Sequence, residues 1–392
     1  MATARKTKQQ TSSSVFTYEI SGDLPSDEME LHDGDEEVFG YLPGLSPATK
    51  RQKAHTASKQ DAPSSGSAHV VFGDSFQHCA NWPAPTVIVS DGPYGLHSYP
   101  GDPWTPDGLP EFYEPHLRRW YDLALPCCTL WFWNSEQGWA NCHRTIEDCG
   151  WEFRNCHIWD KGLAHVAGNV NTRTIRKYPV VTEVCVQYVR KNTLKSGATD
   201  MLLRDWLRAE WARTGLRFSQ TNEACGVKDA ATRKYFSRDH LWYFPPADAF
   251  VRIADFANAN GRPEGRPYFA KPDGTPFSSG EWDGMRAKFH CEIGVGNVWH
   301  VPAVRGCERI KNGTAALHMN QKPLSILEQA IRSTSDPGDV VWEPFGGLCS
   351  ASIAALRTAR HAYAAEINAE YYLAATRRIH DEEPDIPIAR AV

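Results

Sequence analysis

Short apolar runs, rich in β-branched and aromatic residues, alternate with longer amphipathic stretches along the chain. Residues 69–74, 86–90 and 129–133 are such runs, and the first two lead into polar or glycine-containing turns. Apolar runs without polar alternation are typical of strands buried on both faces of a sheet. The same patterns predict further elements, namely strands near 156–159 and 182–189 and helices over 111–124 and 136–149.

The C-terminal part of the chain repeats this alternation. The predicted elements there are, in chain order, helix 323–334, strand 340–342, helix 351–360, strand 362–366 and helix 369–380. Strands that alternate with helices pack into a mainly parallel sheet that the helices cover. The sequence therefore predicts an α/β fold with a mostly parallel sheet.

Residues 195–300 interrupt the alternation and contain little that looks like a buried strand. We interpret them as an inserted, largely helical domain between the halves 67–194 and 301–392. Helices are predicted within it over 201–213, 219–225 and 229–236. Ser219 is expected to cap the second of these helices, and Gly226 to form the turn before the third. The last two helices resemble a helix-turn-helix, although any two short helices around a glycine give this pattern.

Charge is distributed unevenly along the 392 residues, whose net charge is -5. Nine acidic residues and no basic one lie between Glu19 and Glu37, so the remainder carries 42 basic against 38 acidic residues. Residues 1–66 are rich in polar and small residues, and we expect them to form an acidic, disordered arm. The stretch from Arg173 to Arg238 contains fourteen basic and six acidic residues. This excess favours binding of a polyanion, with a solvated surface as the alternative.

Several classes of protein are excluded by composition. No run of about eighteen apolar residues is present to span a membrane, and the N-terminus lacks the apolar core of a signal peptide. We therefore expect a cytoplasmic protein. The eleven cysteines include no C-x-x-C pair, which favours reduced core residues over disulfides or a metal site.

A candidate catalytic motif, Asp91-Gly92-Pro93-Tyr94, directly follows the strand at 86–90. Open α/β sheets bind their ligands at such strand ends. An exocyclic amine of a nucleobase is a poor nucleophile, because its lone pair is delocalised into the ring. The Asp91 carboxylate and the carbonyl of Gly92 or Pro93 can accept its two hydrogens, and Tyr94 offers a flat face for a base that has left the duplex. The motif therefore predicts chemistry on an amino group.

A second motif, Glu343-Pro344-Phe345-Gly346-Gly347, joins a strand to a helix. Glycines allow the backbone to approach a ligand closely, and the first turn of the helix presents free N–H groups. Glu366 ends the next strand, where a carboxylate can accept both hydroxyls of a ribose. The pair predicts a site for an adenosine-containing cofactor.

These motifs together resemble the beta-type DNA amino-methyltransferases of restriction-modification systems. In that family a Gly-Asp-Ser element precedes the catalytic tetrad, as Gly73-Asp74-Ser75 does here, and a His-x-x-Gln-Lys-Pro element precedes the cofactor strand, as His318 to Pro323 do here. Pro337-Gly338-Asp339 also matches. The resemblance covers 68–190 and 296–380. It implies a Rossmann-like methyltransferase fold, S-adenosylmethionine (AdoMet) as cofactor and double-stranded DNA as partner, with 195–300 reading the recognition site.

The resemblance also implies roles for individual residues. Asp91, Gly92, Pro93 and Tyr94 would be catalytic. The cofactor would contact residues spread over both halves, namely Asp74, Gln321, Lys322, Pro323, Glu343, Phe345, Gly346, Gly347 and Glu366. DNA would contact Arg217, Arg233, Lys234 and also Lys161, which lies in an element, Trp159-Asp160-Lys161, similar to one near the family's target pocket.

Three departures from the family pattern stand out. Gly92 replaces the usual proline, which predicts a looser loop. Glu343 replaces the usual aspartate and keeps a carboxylate. Leu348-Cys349-Ser350 replaces the usual Ser-Gly-Thr. None of these changes removes a functional group that the chemistry needs.

Some alternatives remain open in the sequence. A cytosine-ring methyltransferase would use Cys127 after Pro126, but these residues lead into a buried strand and Asp91 would have no role. A DNA-binding regulator on an inactive methylase fold is a second alternative. Within the family, Asp91 favours N6 of adenine over N4 of cytosine. RNA as substrate, a cognate restriction endonuclease, a nucleoid location and the choice between monomer and homodimer are left open.

Overall fold

The computed structural model describes residues 66–97, 102–163, 174–196, 199–239, 241–263, 265–318 and 320–382. These residues belong to the second of the two compact units into which the chain divides, Lys59–Val392. The predicted acidic arm, 1–66, lies outside the described residues except for Gly66. No helix of the described part is both long enough and apolar enough to cross a membrane.

The strands are, in chain order, β1 Ser67–Phe72, β2 Val87–Ser90, β3 Thr129–Asn134, β4 Trp151–Asp160, β5 Thr182–Arg190, β6 Thr193–Ser196, β7 Thr199–Leu202, β8 Val298–His300, β9 Lys311–Asn312, β10 Ala315–Ala316, β11 Val340–Glu343 and β12 His361–Glu366. The helices are α1 Ser75–His78, α2 Leu109–Leu123, α3 Glu136–Asp148, α4 Leu203–Arg213, α5 Gln220–Ala224, α6 Ala230–Tyr235, α7 Ala247–Asn260, α8 Ser279–Asp283, α9 Leu324–Thr334, α10 Ser350–Arg357 and α11 Ala369–Glu382.

Eight of these strands form one sheet in the order β1-β12-β11-β2-β3-β5-β4-β8. All neighbours in it are parallel except β5, which runs antiparallel to both β3 and β4. The prediction of a mostly parallel α/β sheet is confirmed. We call the side of the sheet where β1, β2, β3, β4, β8, β11 and β12 end, and where β5 begins, the carboxyl edge.

The apolar strands are buried on both faces because helices cover each side. In β2, Val87 and Val89 belong to a core that includes residues of α9, α10 and α11, whereas Ile88 belongs to a core that includes residues of α2 and α3. Trp131 and Phe132 of β3 divide between the two cores in the same way. Successive side chains of a strand point to opposite faces, so a wholly apolar run serves two cores at once.

A third core lies in the helical segment between β7 and β8. Trp206 and Trp211 of α4 pack there with Phe250 of α7 and Trp282 of α8. The indole of Trp282 stacks on Phe250 with a centroid distance of 3.6 Å. This segment therefore has its own apolar interior, as an inserted helical domain requires.

Element bounds differ from the predicted ones in places. The helix predicted over 351–360 ends at Arg357, and Ala359 has a φ of +60°. The Ser219 side chain makes no capping hydrogen bond to α5, so that prediction is wrong. The last residues of the range predicted as an insert, 195–300, belong to the main sheet. They form β8, which pairs in parallel with Ile158, Trp159 and Asp160 of β4.

Candidate active site at the carboxyl edge

The two predicted motifs lie side by side in the structure. β2 pairs in parallel with β11, so the residues that follow these strands leave the sheet at adjacent points of the carboxyl edge. A Cβ atom added to Gly92 would lie 2.6 Å from the ring of Phe345. The candidate catalytic tetrad and the glycine-rich turn are thus in direct contact, although some 250 residues separate them in sequence.

Asp91 forms a buried ion pair with Lys322. The Lys322 Nζ atom lies 2.7 Å from Asp91 Oδ1 and 2.8 Å from Asp91 Oδ2, and the lysine side chain is 2% exposed. Burial raises the pKa of Asp91, and the lysine opposes that rise. Burial also works to lower the pKa of Lys322, but Asp91 and Glu183 together raise it. The ammonium group is therefore held charged beside the Asp91 carboxylate.

Glu183 extends this pair into a network. Its carboxylate accepts from Lys161 Nζ at 2.7 Å and from the Tyr94 hydroxyl at 3.1 Å, and it lies 3.3 Å from Lys322 Nζ. Burial works to raise the pKa of Glu183, but the two lysines lower it below its usual value. Two carboxylates and two ammonium groups thus balance in charge, which makes their burial tolerable.

The Tyr94 hydroxyl lies between both carboxylates. Its oxygen is 3.0 Å from Asp91 Oδ1 and 3.1 Å from Glu183 Oε2. Burial, with Asp91 and Glu183, raises the pKa of Tyr94 well above its usual value, so the phenol keeps its proton. Asp91 Oδ1 is occupied by Tyr94 and Lys322, whereas Asp91 Oδ2 meets only Lys322. Oδ2 therefore keeps a lone pair for a further donor.

The two candidate backbone carbonyls differ in their availability. The Pro93 carbonyl accepts from the Tyr113 hydroxyl at 2.9 Å and from Asn134 Nδ2 at 3.0 Å. A carbonyl oxygen has two lone pairs, so this acceptor is filled. No hydrogen bond within the described residues uses the Gly92 carbonyl. The Gly92 carbonyl therefore has more acceptor capacity left than the Pro93 carbonyl, and the role of either in binding an amine remains a prediction.

The loop at Gly92 is tightly packed, and the prediction of a loose loop is wrong. Besides the Phe345 ring, the Tyr113 hydroxyl would lie 2.7 Å from a Cβ atom at this position. Phe345 is itself surrounded by an aromatic group formed by Phe112, Tyr113, His116 and Trp120. Glycine occupies this position because the phenylalanine ring takes the space of a side chain.

The glycine-rich turn forms a cradle next to Glu366. The Gly347 N–H donates to Glu366 Oε2 at 2.6 Å, and the Asn368 N–H donates to Glu366 Oε1 at 2.7 Å. Gly347 has a φ of +52°, and a Cβ atom at Gly346 would lie 2.9 Å from the Ala365 carbonyl. The Ile367 backbone also hydrogen-bonds to this carboxylate, which still keeps acceptor capacity for a hydroxyl. The cradle and this carboxylate fit an adenosine-containing cofactor.

Asp74 lies at the same edge, one strand further along. β1 pairs in parallel with β12, and the Gly73 N–H donates to the Glu366 carbonyl at 2.9 Å. The Asp74 side chain caps α1 by accepting from the Phe76 N–H at 2.9 Å. The structure therefore places Asp74 beside Glu366, and its contact with a cofactor remains a prediction.

Other predicted cofactor contacts are corrected by the structure. The Glu343 carboxylate is 5% exposed and accepts from the Ala351 N–H, the Ser352 N–H and the Ser352 hydroxyl at 3.0, 2.7 and 2.6 Å. It holds the start of α10 rather than facing a ligand. Burial raises the pKa of Glu343 to about 7. The Gln321 amide donates to the Glu308 carbonyl at 2.7 Å and accepts from the Ile310 N–H. It therefore stabilises the loop that contains Glu308 and Ile310.

The predicted DNA contacts fall into two groups. Lys161 forms an ion pair with Glu183 and its side chain is 11% exposed, so it is not a solvated lysine, and its contact with DNA near the target pocket remains a prediction. Arg217, Arg233 and Lys234 are exposed in the helical segment, the last two on α6. Their contact with DNA remains a prediction. Pro323 is buried at the start of α9, and its contact with a cofactor likewise remains one.

Sequence reasoning missed Glu183, Tyr113 and Asn134. Glu183 is a lone acid at the start of an otherwise apolar strand, and a charge that a buried strand retains is a usable signal. Asn134 ends β3 at the carboxyl edge, where a polar residue after an apolar run is also informative. Tyr113 carries no such signal, because an aromatic residue inside α2 looks like ordinary core.

The Rossmann-like sheet, with an acidic tetrad beside a glycine-rich turn at its carboxyl edge, is that of the methyltransferase class. Within that class the chain belongs to the N6/N4-type DNA methylase family, whose model matches residues 86–377. The resemblance to DNA amino-methyltransferases is thereby confirmed.

Similar proteins include two curated DNA methyltransferases. The DNA adenine methyltransferase YhdJ of Escherichia coli K12 is 36% identical over 85 residues, which are 21% of this chain and 27% of that protein. The type II methyltransferase M1.MboII of Moraxella bovis is 35% identical over 77 residues, 19% and 30% of the two chains. The matched stretch thus spans less than a third of either relative. Among solved structures, the cytosine-N4-specific PvuII DNA methyltransferase is similar with a TM-score of 0.45 and 12% identity, over 82% of this chain and 94% of that one.

Proposed function

We propose that this protein transfers a methyl group from AdoMet to an exocyclic amino group in double-stranded DNA, with N6 of adenine as the favoured target. The observation that carries this proposal is that Asp91, whose Oδ2 keeps acceptor capacity, and its neighbour Gly92 contact the glycine-rich turn, which forms a cradle suited to adenosine. The base would leave the duplex to reach them, since its amino group is otherwise paired and stacked.

The chain's own residues suit the cofactor in identifiable ways. Glu366 would accept the ribose hydroxyls, and the backbone at Gly346 and Gly347 would lie close to the adenosine. When bound, AdoMet supplies an electrophilic methyl group. Phe345 would separate the cofactor from the target base on the side where its ring contacts Gly92.

Asp91 and Gly92 would prepare the amine for attack. With one amino hydrogen on Asp91 Oδ2 and the other on the Gly92 carbonyl, the nitrogen is drawn toward a tetrahedral geometry and its lone pair becomes available. AdoMet would supply the methyl group that the nitrogen gains, and the amine would release one proton. Asp91, whose pKa burial raises, is placed to take that proton.

The adenine preference rests on Asp91 at the first position of the tetrad. YhdJ, a relative over the stretch given above, is a DNA adenine methyltransferase, which supports the same choice. The alternative is N4 of cytosine, because the same acceptors serve either amine. An inactive, DNA-binding regulator is disfavoured by the charge-balanced network around Asp91. Action on chromosomal DNA would place the protein in the cytoplasm at the nucleoid, and a cognate endonuclease would recognise the same site.

Replacing Asp91 tests the assignment. We expect Asp91→Ala to lower methyl transfer about a hundred- to a thousandfold, because the amine loses an acceptor in the site. AdoMet affinity, measured by calorimetry, should change less than about threefold. Methyl transfer into unmethylated plasmid DNA gives the rate, and Glu366→Ala, which should weaken AdoMet binding, is the matched control. An Asp91→Ala enzyme that still turns over near the wild-type rate contradicts the mechanism.

Base-resolved sequencing of DNA from cells that express the wild-type protein identifies the target. N6-methyladenine in a short common sequence is the expected result. Finding N4-methylcytosine instead would mean that the target is cytosine, with the same mechanism of amino-group methylation. Unmodified DNA would contradict the proposed function.

A further inference from the structure

Trp104 is unusual among the tryptophans of this chain. All fourteen tryptophans lie in the described residues, and thirteen of them are buried or half-buried. Only Trp104 is exposed, to 76%. Leu96, nearby in the same loop, is 63% exposed. Exposed large apolar side chains that lie together mark surfaces that bind a partner. This loop follows the catalytic tetrad directly, so the partner would lie beside the active site.

The loop holds Trp104 in a defined position. Asp102 is buried, and its carboxylate accepts from the Gly95 N–H at 2.7 Å and from the Leu96 N–H at 3.2 Å. The His97 N–H donates to the Pro103 carbonyl at 3.2 Å. Gly95 directly follows Tyr94. Trp104 lies two residues beyond Asp102, so their Cα atoms are at most about 7 Å apart. The backbone at Trp104 is therefore held close to the segment that directly follows Tyr94.

One face of the indole is covered and the other is open. The imidazole of His97 stacks on it with a centroid distance of 3.4 Å and an angle of 12° between the rings. The remaining exposure of Trp104 is thus concentrated on its other side. A flat aromatic face supported from behind is a stacking platform for a nucleobase.

Exposed cations also lie near the carboxyl edge. Arg176, Lys177 and Tyr178 are exposed in the segment that leads into β5 at that edge, and Tyr178 is 94% exposed. Cations favour the phosphate backbone of DNA. A duplex at the carboxyl edge could therefore meet basic side chains as well as the Trp104 indole.

We propose that Trp104, supported by His97, stacks on the base pairs next to the target and fills the gap that the flipped base leaves. The inference rests on the proposed function, because it takes double-stranded DNA as the occupant. Filling the gap recovers part of the unstacking cost of base flipping, so Trp104 stabilises the extrahelical state of the target.

The test compares two duplexes that carry the recognition site found by sequencing. In one the target base is paired, and in the other it lies opposite an abasic site, where flipping costs less. Trp104→Ala should lower kcat/KM on the paired duplex about ten- to hundredfold, the size expected for one lost base–aromatic stack. On the abasic duplex the loss should shrink to within about threefold, and Trp104→Phe should restore most activity on both.

Phe289→Ala is the matched control, since Phe289 is also an exposed aromatic residue. Its neighbours place it at the opposite edge of the sheet, because Lys288 pairs with Asp339 and the His290 N–H donates to Ser333. This variant should match the wild type on both duplexes. Equal losses for Trp104→Ala on the two duplexes, or no loss on either, would overturn the stacking role.

The same comparison is made for binding, in the Asp91→Ala background and by fluorescence anisotropy. Trp104→Ala should there weaken binding of the paired duplex more than binding of the abasic one. Binding thus reports on the indole independently of methyl transfer. Wild-type protein that binds AdoMet and DNA but transfers no methyl group would contradict the proposed function alone, while equal weakening on both duplexes would contradict stacking alone.

Discussion

At the scale of single residues, the site depends on contacts between side chains far apart in sequence. The tetrad and the glycine-rich turn were predictable, because each has a local pattern at a strand end. Their partners were not, since the Asp91–Lys322 ion pair joins positions 231 residues apart. No local pattern could assign Lys322 to a carboxylate rather than to a cofactor. The role of Glu343 was mistaken for the same reason, because the donors that engage it lie on the following helix.

Gly92 gives the clearest prediction at this scale. We expect Gly92→Ala, and more so the family's usual proline, to push the Phe345 ring aside at a cost of about 1–3 kcal/mol in unfolding free energy. Methyl transfer should fall with it, since Phe345 borders both motifs. Thermal unfolding and the methyl-transfer assay measure the two effects.

The control for that variant is Gly280→Ala, because no atom lies within 4 Å of a Cβ atom built there. It should leave activity unchanged and raise stability by up to about 1 kcal/mol, because Gly280 lies in helix α8. Adding Phe345→Leu to Gly92→Ala should recover part of the lost stability, since the smaller side chain makes room. If Gly92→Ala is as stable and active as the wild type, the ring does not exclude a side chain.

At the scale of elements, the best-predicted strands are those with apolar residues on both faces, and the best-predicted helices are those with one apolar stripe. β2, β3 and α9 lie within two residues of their predicted bounds. β8 was missed because a three-residue strand at the end of the sheet has too few positions for a pattern. The direction of β5 was not predicted either, since an apolar run is the same for parallel and antiparallel pairing.

His157 of β4 provides a prediction of pH dependence. It is 6% exposed, packs between Trp131 and Trp299, and burial lowers its pKa to about 4. In the unfolded chain this histidine is protonated below about pH 6.5, whereas in the folded protein it stays neutral until about pH 4. The free energy of unfolding therefore falls as pH drops from about 6.5 to about 4. Between pH 7 and pH 5 we expect a loss of about 2 kcal/mol from this residue.

Urea unfolding of His157→Phe at the two pH values checks this. The variant should lose about 2 kcal/mol less than the wild type on acidification, because the other groups titrate alike in both proteins. His380→Gln, at an exposed histidine, should show the wild-type dependence. Identical losses in wild type and His157→Phe would show that His157 does not couple folding to protons.

At the scale of the whole molecule, the helical segment between β7 and β8 has a core of its own, built largely from tryptophan and phenylalanine. Its existence was predictable because the strand–helix alternation stops. Its interior arrangement was not, since short helices leave little periodicity. α5 and α6 do pack together, with the Thr232 N–H donating to Asn222 Oδ1 at 3.0 Å.

The exposed cations of α6 test whether this segment binds DNA. Replacing both Arg233 and Lys234 by alanine should weaken binding to any duplex and reduce the slope of log K against log salt by about 0.9 for each lost phosphate contact. Arg144→Ala, at an arginine whose side chain is 84% exposed on α3, is the matched control. An unchanged slope in the double variant would place the DNA-binding surface elsewhere.

The reversed direction of β5 also has an evolutionary consequence. Lys161 follows the last residue of β4, and Glu183 is the second residue of β5, so a single hairpin connection begins and ends at paired charges anchored in the sheet. Insertions or deletions within that connection would leave both charges in place. The length and sequence of this connection can therefore change between related proteins while the ion pair that supports the chemistry proposed at Asp91 is retained.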